Sequence, residues 1–334
     1  MRAIAVTTIA DQDSIGVSRL IRLSEICSAE LVLIGDKKSP RWEEDKLPGN
    51  VHYFSIEDQN SRWPKLSKLI PLNHYGRKNL AYLWAIENGV EILLDTDDDN
   101  FSELDVFSHD IKLFRTIPVS KEWINVYAYF GQTKLWPRGL PLEEAMSPIL
   151  ETVDKLEEPQ WHCFQAVVDG DPDLDAIGRM LYPESHTFRD QPPLLLEKGQ
   201  FCPTNSQATL WKKELFPCLY LPVTAPFRMT DIWRGIVMNG FLHSREYKTL
   251  FGKLGVNQSR NAHNLLSDFK DEVAGHLSSR LVKQIADKFW LEGNSLGFSF
   301  VLKQIYQDLS QKQIVDTNEA EVLRVFLEEM ERVA

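Results

Sequence analysis

Four cysteines in 334 residues, Cys27, Cys163, Cys202 and Cys218, are too few and too scattered for a disulfide framework, and none forms a CxxC pair. Each stands among apolar or aromatic neighbours and reads as a reduced, buried thiol in a reducing compartment. No apolar run approaches the roughly 20 residues that a membrane-spanning helix needs. The first apolar stretch, Ala3 to Ile9, is followed by Asp11 and Asp13, which argues against a secretory leader. A long Lys/Arg block is also missing, and 37 basic against 48 acidic residues leave a formal net charge of -11. That balance excludes broad nucleic-acid binding, although a phosphate pocket can still be locally basic. Without Gly/Ser linkers, internal repeats or low-complexity tracts, tethered domains are not expected. A hydrophobic fraction of 43% allows a large core.

The charge that is present is concentrated in one place. Val90 to Asn100 reads VEILLDTDDDN, an apolar run that ends in Asp95, Asp97, Asp98 and Asp99. A buried strand ending in clustered aspartates sets them at the carboxyl edge of a sheet, where α/β proteins bind ligands. Carboxylates this close repel one another, so the cluster calls for a cation or a set of donors, with Mg²⁺ or Mn²⁺ the expected metal on oxygen ligands. Ahead of it, Tyr75-Gly76-Arg77-Lys78-Asn79 precedes a helical spacing of Leu80, Leu83 and Trp84, and Asn88-Gly89 marks the stop before the strand. The order is basic loop, helix, turn, strand, acidic tip. Arg77, Lys78 and Asn79 at the front of this unit would meet a diphosphate, or pair with the aspartates as a structural ion network.

Elsewhere the pattern predicts strands at Ala3 to Ile9, Leu31 to Ile34, Val51 to Ser55 and Ile124 to Phe130, with a helix over Ile15 to Cys27. This βαβ opening implies an α/β doubly wound mixed sheet. After Ser267, Val273, Leu277, Leu281, Ile285, Phe289 and Trp290 fall near one helical face and read as core. The expected division is a catalytic domain over 1–265 and a helical C-terminal extension over 266–334.

Several segments together resemble the STELLO-type family of glycosyltransferases. They are GRKNLAYLWAIENGVEILLDTDDDN, AIAVTTI, LVLIGDKKSP, VVDGDPDLDAIGRM, PTNSQATLW, LPVTAPFRMTDIWRGIV and RNAHNLLSDFKDE, which ends at Glu272. The resemblance implies a GT-A-like fold and a metal-dependent transfer of a sugar from a nucleotide-sugar donor, a UDP-sugar by expectation, to a glycan or other hydroxyl acceptor. Thr7, Thr8 and Asp36 would contact the nucleoside, unless the threonines cap and Asp36 only turns the chain. Asp95 joins Arg77, Lys78 and Asn79 as a donor-binding residue; Asp97, Asp99 and His263 would hold metal. Arg260 and Asn261 are candidate phosphate contacts. Asp231 would take the acceptor hydroxyl's proton, or else cap the following helix. Asp98, Asp169, Asp171, Asn205 and Arg228 are candidate substrate or acceptor contacts, with Gly170 and Pro172 offering a plain turn as the other reading of Asp169 and Asp171. Ser206 and Gln207 would line the sugar pocket. The family's plant members are membrane-anchored, so the resemblance is to their soluble catalytic portion and a cytoplasmic enzyme is expected. A homo-oligomer is left open.

Three rival readings share these residues. A sugar-nucleotide mutase would keep the pocket and change the reaction, and a non-catalytic partner of a polysaccharide synthase would not need the aspartates. A phosphatase of the haloacid dehalogenase type fits LLDTDDD superficially, but position 99 is Asp where that motif has Thr or Val.

Overall fold

The apolar opening run forms β1 (Arg2–Thr7), and Ser14 then starts the helix Ile15–Cys27 by accepting a hydrogen bond from the Val17 amide. The helix ends on Ser28 in the left-handed region and leads into β2 (Glu30–Ile34), followed by β3 (Val51–Phe54). A 3-10 turn (Tyr75–Lys78) runs directly into the helix Asn79–Glu87, which stops at Gly89 with φ +65° before β4 (Ile92–Thr96). These four strands run parallel in the order β3-β2-β1-β4. This computed structural model describes residues 1–119, 121–260, 263–293 and 296–333.

Beyond β4 the chain makes β5 (Asn100–Phe101), β6 (Phe114–Thr116), β7 (Val153–Lys155), β8 (Cys163–Ala166), β9 (Asp169–Gly170), β10 (Leu194–Leu196), β11 (Ala208–Lys212), β12 (Thr249–Gly252) and β13 (Asn257–Gln258). β11 lies antiparallel to β4, and the large sheet continues as β8-β12-β10-β6-β7 to ten strands. The sheet is therefore mixed, as expected: the parallel half β3-β2-β1-β4 is followed by a continuation in which antiparallel pairs alternate with the parallel pairs β8–β12 and β10–β6. β5, β13 and β9 make a separate three-stranded sheet at the acidic tip. Gly170 in β9 has φ +89°, and a Cβ there would lie 2.3 Å from the Gln258 carbonyl oxygen, so this close pairing requires glycine.

Period-two burial on the strands divides the core into two layers. Ala3, Ala5, Val32, Ile34 and Leu93 face one helical layer, while Ile4, Val6, Leu31, Leu33 and Leu94 face the helix Ile15–Cys27. The first layer holds the helices Thr230–Ser244, Leu265–Glu292, Phe298–Gln311 and Glu319–Val333. Trp290, Ile305, Tyr306, Phe326 and Leu327 share that core with Trp211 and Trp233, so the C-terminal helices close the same hydrophobic interior as the sheet. All four cysteines are free and buried, as the sequence suggested. Among the described residues no helix is long and apolar enough to cross a membrane.

Two elements differ from the sequence pattern. Ile124 to Phe130 is not a strand. Val126–Tyr129 forms a helical turn, with the Asn125 amide tying it to the Leu135 and Ala145 carbonyls at 2.8 Å each. A short run buried on every side carries no periodicity to separate the two conformations. The helix Leu265–Glu292 is also turned relative to expectation: Leu277 is 80% exposed, whereas Glu272, Gly275, Ser279, Val282, Ile285 and Trp290 are buried. The first half of that helix faces polar groups, so its buried stripe is not the apolar one.

Glu319 fastens the last helix to the loop that leads to Arg228. Its carboxylate accepts from the Val223 and Thr224 amides at 3.0 and 2.7 Å, from the Thr224 hydroxyl at 2.6 Å, and from the Tyr220 hydroxyl. Replacing Glu319 by Ala leaves these buried donors without an acceptor. Urea denaturation is expected to show a loss of about 3 kcal/mol, and a loss below 1 kcal/mol would contradict this anchoring role.

Candidate functional site

Three adjoining hollows open at the carboxyl edge of β1 and β4. A central cleft of about 210 Å³ is lined by Thr7, Tyr75, Asp97, Asp98, Asp99 and Gln207, by the basic and acidic groups Arg138, Asp173, Arg228, Asp231, Arg260 and His263, and by Gln258, which links Asp99 to Arg260. Thr7, Tyr75, Asp98 and Phe227 also border a second hollow of about 370 Å³ that contains Thr8, Asp36 and His74. Arg260 and His263 border a third, which contains Asp171, Arg179, Tyr182 and His186.

The acidic tip is built on a buried ion network. β4 extends through Thr96, so Asp95 lies inside the sheet and is fully buried. Its carboxylate accepts from Lys78 at 3.0 Å, Tyr82 at 2.9 Å, Ser206 at 2.7 Å and Arg234 at 3.0 Å, and more weakly from Trp211 at 3.3 Å. Burial opposes ionisation, but Lys78 and Arg234 outweigh it and hold the group below the usual carboxylate range. Lys78 also reaches the Thr96 carbonyl at 2.7 Å and Asp97 at 3.0 Å, and so ties the buried charge to the exposed tip.

Asp97 is different. It keeps 35% of its side chain accessible, yet loss of hydration in the cleft, with Asp99 adding to it and Lys78 opposing, pushes it up to about 7. Asp98 is raised by burial and accepts from the Thr8 hydroxyl at 2.5 Å. Asp99 accepts from Gln258 at 2.8 Å, a bond across the small sheet. Helix Ile15–Cys27 presses on the tip through Gly16, whose added Cβ would lie 2.3 Å from the Asp98 carbonyl oxygen.

In the basic loop, Arg77 and Asn79 are engaged by protein groups. Arg77 is 1% exposed and donates to Gln59 and Ser67 at 2.8 Å and to the Ile70 carbonyl at 3.1 Å. These bonds direct its donors into the protein, while its side chain also borders the second hollow. Asn79 is buried and exchanges two hydrogen bonds with the Leu221 backbone, at 2.7 and 2.9 Å. Asp36 accepts from the Asn73 and His74 amides at 2.7 and 2.9 Å, so it shapes the wall of the second hollow.

Elsewhere in the lining, Arg138 holds two carboxylates. It bonds Asp173 at 2.9 and 2.8 Å and Asp231 at 3.1 Å through each terminal nitrogen. Asp231 also accepts from the Ser206 amide at 3.1 Å. Its oxygens are thus already engaged, whereas a general base must reach the acceptor hydroxyl. Despite burial, Arg138 and Arg260 hold Asp173 down to about 2. Asn205 stands behind this wall, donating to Asp173 at 2.8 Å. His263 bonds Asp268 at 3.0 Å and is lowered by burial, an effect Asp268 opposes and nearby arginines reinforce. Asp171 accepts from the Arg260 amide at 3.0 Å. Asp169 accepts from Lys253 at 2.6 Å and from the Phe188 amide at 2.8 Å, and does not border the three hollows. Asn261 lies outside the described residues.

Sequence reasoning passed over Arg138 and Asp173. The third aspartate of DGDPD, not the first two, is the buried one at the cleft, and no spacing rule distinguished it. Arg138 follows a proline in WPRGLP, where nothing marked it. Tyr75 also gains importance: its ring lies under the Lys78 ammonium at 4.8 Å, and its buried hydroxyl has no hydrogen-bond partner among the described residues.

Residues 228–334 match the model of the STELLO glycosyltransferases. Over those residues the chain is similar to that family. It is 26% and 27% identical, over 243 residues, to two Arabidopsis thaliana proteins named Probable glycosyltransferase STELLO1 and Probable glycosyltransferase STELLO2. Those alignments cover 64% of this chain and 30% of each relative, so the chain spans under a third of the curated STELLO proteins it matches. The STELLO match includes Arg228, Asp231, Arg260 and His263, and reaches through the C-terminal helices, beyond the Glu272 at which the segments quoted for the resemblance end.

The raised Asp97 gives a stability test with a defined sign. A carboxylate pushed from 3.8 to about 7 in the folded state favours folding while protonated, and that advantage is lost as pH rises through 7. Asp97→Asn is therefore expected to raise stability in the absence of ligand by about 1 kcal/mol above pH 7, after allowing for solvent screening. The gain should fade toward pH 4. Thermal melts at pH 8 and pH 4 check this, and destabilisation at pH 8 would refute it.

Proposed function

We propose that the cleft binds a nucleotide-sugar donor, with a UDP-sugar the first candidate, and transfers its sugar to a hydroxyl acceptor. The observation that carries this reading is the acidic tip at the edge of β4, set between one hollow suited to a nucleoside and a basic wall suited to anionic groups. Family kinship supports the reaction class. In this reading Thr7, Thr8 and the half-exposed ring of Phe227 receive the nucleoside, and Tyr75 offers its unpaired hydroxyl at the waist between the first two hollows. The diphosphate lies over Asp97 and Asp99. The acceptor approaches through the third hollow, past Arg260 and His263.

Asp97 and Asp99 fit a divalent cation such as Mn²⁺ or Mg²⁺. They are hard oxygen donors, and loss of hydration, with repulsion from Asp99 added, raises Asp97. Among the described residues no group of three or more His, Cys, Asp or Glu side chains is arranged to hold an ion unaided. That suits an ion bound by one or two carboxylates and completed by phosphate oxygens and water. Bound there, it would supply charge stabilisation for the departing nucleotide diphosphate. Lys78 keeps the Asp97 carboxylate in position, and Arg138 keeps Asp173 ionised and holds Asp231 in place beside the transferred group.

The phosphatase reading loses its nucleophile, because Asp95 is fully buried among five donors. Titration calorimetry with UDP and Mn²⁺ tests the proposal. Binding is expected with Mn²⁺ and is expected to weaken at least about tenfold without it or in Asp99→Ala. A folded protein that binds neither UDP, GDP nor CDP with the metal would end the reading. Mutase activity would be seen as ring isomers of the donor formed without acceptor.

A further inference from the structure

The basic wall of the cleft has more hydrogen-bond donors than acceptors. Every carboxylate there is already occupied: Asp173 by Arg138 and Asn205, Asp231 by Arg138 and the Ser206 amide, and Glu272 by Arg228 at 3.0 Å and the Ala176 amide at 2.6 Å. Arg228 and Arg260 are left with spare donors. Their side chains are only 10% and 9% exposed, and the Arg228 Nη2 and Arg260 Nε atoms are buried without a partner among the described residues. Arg260 otherwise donates through Nη2 to Gln258 at 2.9 Å. The Arg228 carbonyl accepts from Arg138, which brings the second guanidinium close to the first. Burial and Arg138 together lower the affinity of Arg228 for its proton. Crowded, desolvated guanidinium groups with unused N–H bonds favour an anionic oxygen over a neutral hydroxyl.

The position narrows which anion this is. Gln258 stands between Arg260 and the acidic tip, where the proposed diphosphate lies: it accepts from Arg260 at 2.9 Å and donates to Asp99 at 2.8 Å. Arg260 also borders the third hollow, away from the nucleoside end. We propose that Arg228 and Arg260 recognise a carboxylate on the transferred sugar, so that the preferred donor carries an acidic sugar such as a uronic acid. This inference deepens the donor-binding reading above and depends on it.

UDP, UDP-glucose and UDP-glucuronate, each with Mn²⁺, separate the two claims in calorimetry of the full chain. The sugars of the last two differ only in a hydroxymethyl against a carboxylate group. UDP-glucuronate is expected to bind about tenfold more tightly than UDP-glucose, in the range of one charge-assisted hydrogen bond. Arg260→Gln is expected to abolish that preference while leaving UDP affinity within about twofold. Equal affinity for the two sugar nucleotides with UDP still bound would overturn the acidic-sugar inference alone. So would an Arg260→Gln variant that weakens UDP as much as UDP-glucuronate, since the guanidinium would then serve the diphosphate. Failure of all three to bind would overturn the donor reading together with this inference.

Discussion

Asp95 is a carboxylate placed inside a ten-stranded sheet, where no water can stabilise it. Lys78 and Arg234 balance its charge, and Tyr82, Ser206 and Trp211 complete its hydrogen bonding. Each partner comes from a different part of the chain: the turn before helix Asn79–Glu87, that helix itself, the loop before β11, β11, and helix Thr230–Ser244. Removing one member of such a network leaves an uncompensated buried charge, which costs about 3–5 kcal/mol. The network therefore fixes the relative positions of the elements that frame the cleft. It also fixes Asp97, because the Lys78 ammonium is shared between the two aspartates.

From this centre the cleft acquires an acidic and a basic part. The tip presents Asp97, Asp98 and Asp99, whose mutual repulsion is only partly relieved by Lys78, Thr8 and Gln258. The basic part of the lining presents Arg138, whose donors are engaged, and Arg228 and Arg260, each with a buried donor that has no partner among the described residues. A cation with an anionic ligand would relieve both imbalances at once. The three-stranded sheet spans the two parts, since β5 follows the tip directly and β13 leads to Arg260. The C-terminal helices support the basic wall: Glu272 of helix Leu265–Glu292 holds Arg228, and Glu319 anchors the loop just before it.

Much of this could be read from the residues. The run VEILLDTDDDN identified the strand and its acidic end, and Ile15 to Cys27 matched its helix, because strong periodicity and clear stop signals agree there. What escaped notice depends on contacts between distant segments. That Arg77 points inward, toward the loop at Ser67 to Pro71, follows from tertiary packing and not from its place in a basic loop. Asp173 and Arg138 meet across 35 residues of irregular, proline-broken chain, where no period assigns a face. The buried side of helix Leu265–Glu292 was misjudged for a related reason: Glu272 and Ser279 are buried because polar partners await them, which an apolar stripe cannot reveal.

The central claim is that the aspartates at the end of β4 hold a divalent ion together with a nucleotide diphosphate. A crystal of the protein grown with UDP and Mn²⁺ addresses it most directly, using the anomalous signal of manganese. The expected map has the manganese peak bonded to Asp97 or Asp99 and to the diphosphate, with the uracil in the hollow beside Thr8 and Phe227. A manganese peak elsewhere, or UDP bound away from these aspartates, would contradict the account.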